Sequence, residues 1–179
     1  MRDILFRAKG VEEDDKNKWY EGYYWYTKDT VYCFKEDYDI TAKEGKDPRH
    51  HYILMDGFAD WGMPVPKYKA EINPETLCQY TGLPDKNSKK IWENDITKLV
   101  LPDGEIRYFK VSFKKVIGKV LCHPDFDDDV AKVELNAICF EWNGYELFPC
   151  IDENGVSDIS KMEVVGNIFD NPELLEVEQ

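Results

Sequence analysis

Short apolar stretches separated by strong turn signals recur along this chain, and that pattern constrains the fold more than any other feature. Asn143-Gly144 is the strongest of these signals, because both residues accept the positive φ angles of a two-residue hairpin turn. Pro102-Asp103-Gly104 separates two apolar stretches in the same manner. The sequence therefore predicts a mainly β fold of short antiparallel strands, arranged as a barrel or a sandwich, with very little helix.

The order of these strands also indicates how the chain is divided. Strands are predicted over residues 2–8, 19–26, 31–34, 50–55, 67–72, 96–101, 106–109, 111–121, 133–142, 145–148 and 162–169. The chain divides into an N-terminal β subdomain, 1–72, and a C-terminal β-barrel domain, 73–179, with linking turns at 73–90. Asn73-Pro74-Glu75 and Asn171-Pro172-Glu173 each predict one helical turn that asparagine caps.

The stretch 19–26 contains six aromatic residues in eight positions. Its period of two predicts that Trp19, Tyr23 and Trp25 lie on one face of a strand, and Gly22 marks a bulge or a close backbone approach. A two-sided buried strand, or a strand with one face in a subunit interface, is favoured. The alternative is a surface on which bases of a single-stranded nucleic acid stack.

Net charge argues against nucleic acid as a partner. The formal charge is −13, with 36 acidic and 23 basic residues, and neutralisation of phosphates supplies most non-specific affinity for nucleic acids. The acidic excess is instead typical of a soluble cytoplasmic protein. The absence of a signal peptide and of a long apolar segment predicts a cytoplasmic location without a membrane partner.

The acidic stretch 125–129 contains the one group of residues that suggests a metal site. Asp125, Asp127 and Asp129 match the first, third and fifth ligand positions of a calcium loop, but Val130 and Asn136 occupy the positions that require glycine and glutamate. A solvated acidic loop is therefore favoured. The alternative is a divalent-metal-dependent hydrolase that uses these three aspartates.

Other candidates for chemistry are weaker. His50 and His51 would point to opposite faces of a strand, and Cys122-His123 are neighbours that rarely form a thiol–imidazole pair. Turn capping accounts for Asp85, which could otherwise be paired with Asp95 as two catalytic carboxylates. No phosphate loop, dinucleotide fingerprint or hydrolase motif is present, so the sequence favours a protein without enzymatic activity, cofactor or catalytic residues. The five cysteines have no paired spacing, which predicts reduced and mostly buried thiols.

Three segments of the sequence have a distinctive combination of residues. The first is Gln79-Tyr80-Thr81-Gly82-Leu83-Pro84-Asp85-Lys86-Asn87-Ser88-Lys89-Lys90-Ile91-Trp92-Glu93-Asn94-Asp95-Ile96. The others are Phe6-Arg7-Ala8-Lys9 with Trp19-x-Glu21-Gly22-Tyr23-Tyr24, and Glu163-Val164-Val165-Gly166-Asn167-Ile168-Phe169-Asp170-Asn171-Pro172-Glu173-Leu174-Leu175. Together these segments resemble the YopX family of phage and prophage proteins. Ser88 and Asn94 stand where the family usually has glycine, so the turn near Ser88 is expected to differ in detail.

The resemblance implies a mainly β protein with a C-terminal YopX-like barrel, a phage or prophage origin and self-association. It implies no reaction and no catalytic residue. The leading hypothesis is therefore a homo-oligomeric interaction module with a phage or host protein as a further partner, in which Trp19, Tyr23 and Trp25 contribute to an interface or stack on a ligand.

Overall fold

The computed structural model describes residues 4–28, 35, 49–58, 64–121 and 130–176. About 60% of these residues lie in strands, which confirms the mainly β prediction. The chain forms two compact units, Met1–Tyr80 and Thr81–Gln179, which we call unit 1 and unit 2. The division into domains at residue 72 stays a prediction.

Unit 1 is built on one antiparallel sheet with strand order β4-β3-β2-β1-β5. Its strands are β1 (Phe6–Lys9), β2 (Trp19–Lys28), β3 (Arg49–Phe58), β4 (Pro64–Glu71) and β5 (Cys78–Pro84), whose last residues belong to unit 2. A 3-10 turn at Pro74–Thr76 precedes β5, and Asn73 caps it as predicted by accepting the Glu75 N–H at 3.0 Å.

The core of unit 1 lies on one face of this sheet. Ala8, Ile53 and Ile72 are buried there. The partly buried side chains that pack against them include Phe6, Tyr20, Tyr24, Met55 and Leu77. Tyr20 and Tyr24 have even numbers in β2, so the odd-numbered residues of that strand lie on the other face.

Unit 2 is built on an antiparallel sheet of five strands in the order β10-β9-β8-β7-β11. Its strands are β6 (Lys90–Trp92), β7 (Asp95–Val100), β8 (Ile106–Leu121), β9 (Val130–Trp142), β10 (Tyr145–Leu147) and β11 (Glu163–Asn167), with β6 beside the end of β5. Short 3-10 turns occur at Asp158–Lys161 and Pro172–Leu175. The core consists of Ile91, Phe109, Val111, Phe140, Ile159, Met162 and Val164.

The hairpin predictions are confirmed. Asn143 and Gly144 both have positive φ angles, 46° and 79°, between β9 and β10. Gly104, with φ 88°, donates its N–H to the Leu101 carbonyl at 2.9 Å and closes the turn between β7 and β8. These turns need residues that adopt positive φ at low cost, so the sequence itself indicates where the turns lie.

Three other predictions have a different outcome. The strands predicted over 106–109 and 111–121 form one strand, because Lys110 stays in register opposite Glu141 and pairing continues through it. The C-terminal barrel is not confirmed, since the described strands of unit 2 form an open sheet whose edges are β10 and β11. The strand predicted over 31–34 lies outside the described residues.

The two longest strands extend beyond the rest of the unit 2 sheet. β7 ends its pairing with β8 at Ile96 and Lys110, and β10 ends its pairing with β9 at Leu147 and Phe140. β8 and β9 continue to pair with each other as far as residues 121 and 130. We call residues 113–121 and 130–138 the ribbon.

Candidate binding surface

The odd-numbered aromatic residues of β2 lie on the outer face of the unit 1 sheet, opposite the core. Tyr23 is 41% exposed, Trp25 is 44% exposed and Trp19 is partly buried. The sequence placed these three on one face. Of the two arrangements that it favoured, burial on both faces does not hold for Tyr23 and Trp25 within the chain, and a face in a subunit interface stays a prediction. Gly22 allows β2 to approach β3 closely, because a Cβ there would overlap the Leu54 carbonyl oxygen. We call this face the aromatic face.

Two cations from β1 lie over the first aromatic ring. The Arg7 guanidinium carbon is 4.7 Å from the centroid of the Trp19 ring, and the Lys9 Nζ is 5.5 Å from it. Antiparallel pairing explains this position, because Lys9 lies directly opposite Trp19 and Arg7 is two residues away on the same face. Both cations are within the range in which the ring quadrupole attracts them.

A second aromatic cluster lies across β2, β3 and β4. Trp25 stacks on Tyr52, with ring centroids 5.4 Å apart, because the two residues are cross-strand partners. The Lys69 Nζ lies 4.7 Å from the centroid of the Tyr52 ring. The aromatic face therefore contains the same arrangement at two places: an aromatic ring in contact with a cation from a neighbouring strand.

Acidic groups share this face and limit its positive charge. Glu21 lies opposite Arg7 in the β1–β2 register. His50 Nδ1 lies 2.9 Å from a Glu71 carboxylate oxygen, and both side chains are more than one third exposed. The surface is thus of mixed charge, with cations concentrated at the aromatic rings.

The sequence alone does not identify four residues of this face as parts of a site: Arg7, Lys9, Tyr52 and Lys69. They are distant from β2 along the chain, and only the pairing register brings them beside Trp19 and Trp25. The sequence pattern that points to this surface is the pair of basic residues at positions 7 and 9, which a strand places on one face. Lys9 also lines an open cleft of about 300 Å³ together with Lys16 and Asn73.

His50 and His51 point to opposite faces, as the sequence predicted, so they do not form a shared metal site. His51 is buried on the core side, where its Nδ1 lies 2.6 Å from the Tyr24 hydroxyl and its ring stacks on the Tyr24 ring. Within the described ranges, no group of three His, Cys, Asp or Glu residues is arranged to hold a metal ion. Asp125, Asp127, Asp129 and the Cys122-His123 pair lie outside those ranges, so the acidic-loop hypothesis stays a prediction.

The carboxylates of the segment 79–96 bind backbone groups. One oxygen of Asp85 accepts the N–H groups of Asn87 and Lys89, at 2.8 and 2.9 Å, and the other accepts the N–H of Val164 at 2.9 Å. Burial raises the pKa of Asp85, but these three N–H groups outweigh it and hold the pKa below its ordinary value. Asp95 accepts the Trp92 N–H at 2.8 Å. Turn capping by Asp85 is confirmed, and Asp95 binds the backbone of the turn between β6 and β7.

Cysteine accessibility differs within unit 2. Cys139 is buried beside the Ser112 hydroxyl at 3.0 Å, whereas Cys150 is exposed. In unit 1, Cys78 is buried. Burial is therefore confirmed for Cys78 and Cys139, whereas Cys150 is exposed, and Cys33 and Cys122 lie outside the described residues.

Comparisons with known proteins agree with the resemblance in the sequence. A family model described as YopX protein matches residues 5–176. No curated protein matches the chain. Among the described residues, no helix has the length and apolar character needed to cross a membrane.

Proposed function

Because this chain belongs to the YopX family, we propose that it is a homo-oligomeric interaction module without enzymatic activity, and that the aromatic face of unit 1 is a contact surface between copies. The proposal includes a phage or prophage origin and a phage or host protein as a further partner. The observation that carries the proposal is the exposure of Tyr23 and Trp25 beside Trp19 and Tyr52, whose rings each contact a cation.

The composition of the aromatic face supports a protein contact. Tryptophan, tyrosine and arginine are the residues that most often dominate the energy of protein interfaces. They occur here together, as Trp19, Trp25 and Tyr52 with Arg7. Mixed charge also suits contact between copies, because a chain with net charge −13 needs cations in the interface to limit repulsion.

We expect the double substitution Tyr23→Ala and Trp25→Ala to weaken self-association by about tenfold or more, because removing one central aromatic anchor commonly costs 2 kcal/mol or more. Sedimentation velocity over a concentration series measures this change. Tyr68→Ala is the matched control, since Tyr68 is 57% exposed and belongs to the same sheet, but its β3 partner Met55 packs on the core side. Equal effects of the control and the double substitution would contradict the assignment of the aromatic face.

The cations over Trp19 and Tyr52 favour single-stranded nucleic acid as a second candidate ligand of this face. Bases stack on aromatic side chains with little sequence preference, and nearby Arg and Lys contact the phosphates. In this case a fluorescent 20-nucleotide thymidine oligomer should bind at low salt, and Trp25→Ala should weaken binding while Tyr68→Ala leaves it unchanged. Fluorescence anisotropy that stays constant at low salt would eliminate this candidate.

A further inference from the structure

The chain contains two Asn-Gly pairs, Asn143-Gly144 and Asn154-Gly155, and both lie in exposed turns of unit 2. In such a pair the backbone nitrogen of glycine can attack the side-chain amide of the asparagine before it, because glycine has no side chain to hinder the approach. The sequence makes the two pairs equivalent in this respect. The structure makes them different.

The amide of Gly155 is held by a hydrogen bond. Its N–H donates to the Asp152 carbonyl oxygen at 2.9 Å. One carboxylate oxygen of Asp152 also accepts the N–H groups of Asn154 and Val156, each at 2.9 Å. These bonds hold the backbone around Asn154 in one conformation. Attack by the Gly155 nitrogen therefore requires a hydrogen bond to break first.

The amide of Gly144 has no such bond. Gly144 and Asn143 form the two-residue turn between β9 and β10, with φ angles of 79° and 46°. The hydrogen bonds that close a turn of this kind belong to the residues on either side, here Trp142 and Tyr145. Within the described ranges, the Gly144 N–H donates to no acceptor. Its nitrogen is therefore available to react.

The hairpin that carries Asn143 is also a weakly held part of unit 2. β10 has 3 residues, all of them exposed, and it lies at the edge of the sheet. Short exposed elements with few packed side chains open at a low free-energy cost. Opening of this hairpin lets the Asn143 side chain rotate until its carbonyl carbon meets the Gly144 nitrogen.

We propose that Asn143 is a site of spontaneous modification by water and that the turn at Asp152 protects Asn154 from the same reaction. The Gly144 nitrogen bonds to Cγ of Asn143, the Cγ–Nδ2 bond breaks, and ammonia leaves with the proton that the Gly144 amide loses. Water then opens the resulting succinimide at either carbonyl group, which gives aspartate or isoaspartate. The inference goes beyond the proposed function and does not depend on self-association.

Isoaspartate would change the fold at this site, because it adds a carbon to the main chain of the turn. A two-residue turn sets the register of its strands, so the lengthened turn no longer matches the pairing of Tyr145 with Trp142. Release of β10 would leave β9 as the edge of the described sheet from the ribbon to its last residue. The modification therefore removes an edge strand of unit 2.

Peptide mass spectrometry of the full chain, kept in mildly alkaline buffer, follows both sites in one sample. We expect Asn143 to be converted about fivefold faster than Asn154, the factor that corresponds to the net contribution of one hydrogen bond. A sample kept in urea is the matched control, because both turns are unfolded there and the two pairs should react at similar rates.

The variant Asp152→Ala tests the protection of Asn154 directly. It removes the carboxylate that accepts the N–H groups of Asn154 and Val156. We expect faster conversion of Asn154 and an unchanged rate at Asn143, and circular dichroism checks that the variant folds. An unchanged rate at Asn154 in the folded variant would overturn the assignment of protection to the Asp152 turn.

The variant Asn143→Asp separates the added main-chain carbon from the added charge. It carries the charge of the product with a main chain of ordinary length. Protein converted to isoaspartate at residue 143 should therefore unfold at a lower temperature than Asn143→Asp. Equal unfolding temperatures would overturn the release of β10.

The rates in native and unfolded protein decide the main inference. Faster conversion of Asn143 in the native chain, with similar rates in urea, supports it. Similar rates in the native chain overturn it. A difference that persists in urea also overturns it, because the cause would then be the neighbouring residues in the sequence and not the fold.

Discussion

Asp85 shows at the scale of a single residue how the family-like segment stabilises unit 2. Asp85 is 5% exposed, and its carboxylate accepts backbone N–H groups of its own turn and of β11, which lies far away along the sequence. Hydrogen bonds to a charged acceptor are among the stronger ones in proteins, and a buried N–H that loses its partner costs free energy. Asp85 therefore fixes the start of β11 beside the turn at 86–88.

We expect Asp85→Asn to lower the free energy of unfolding by about 2–3 kcal/mol, because the amide nitrogen cannot accept a backbone N–H. Asp103→Asn is the control, since Asp103 accepts one N–H, from Glu105, in an exposed turn and should change stability by less than about 0.5 kcal/mol. Urea denaturation measures both. Similar losses in the two variants would contradict the role of Asp85.

The lowered pKa of Asp85 makes the difference in unfolding free energy between wild type and Asp85→Asn depend on pH. A carboxylate with a depressed pKa in the folded state contributes stability above its unfolded pKa, about 3.9, and loses the contribution as pH falls through the folded pKa. The gap in unfolding free energy between wild type and Asp85→Asn should thus stay constant above about pH 5 and shrink in stronger acid.

Ser88 and Asn94 are the two positions where the sequence departs from the glycine usual in the family, and both have positive φ angles, 65° and 64°. Ser88→Gly should raise the free energy of unfolding by about 0.5–1 kcal/mol, because relief of left-handed backbone strain exceeds the entropy that glycine gains in the unfolded chain. Ser88→Ala keeps the strain and is the control. Thermal denaturation of both variants and of wild type measures the change in stability. A Ser88→Gly protein less stable than wild type would contradict the explanation by backbone strain.

At the scale of elements, β2 carries the proposed contact surface. Alternation along this strand puts aromatic side chains on one face, and the neighbouring strands determine what accompanies them. β1 and β4 add cations to the aromatic face. The local pattern of β2 alone therefore does not determine the charge of this surface.

At the scale of the whole molecule, the proposed contact surface lies in unit 1. A surface that pairs with the same surface of a second copy forms a dimer. The acidic excess of the chain opposes assembly, so association should strengthen as salt screens the repulsion.

The sequence by itself determined the β class, the hairpin turns, the capping turn at Asn73 and the faces of β2, because these depend on local φ angles and on a period of two. It also carried the family resemblance. Only the tertiary structure decided that Arg7 and Lys9 lie over Trp19, that Lys69 lies over Tyr52, and that Asp85 binds β11. Strand pairing joins residues far apart in the chain, and no local pattern specifies which strands pair or in which register.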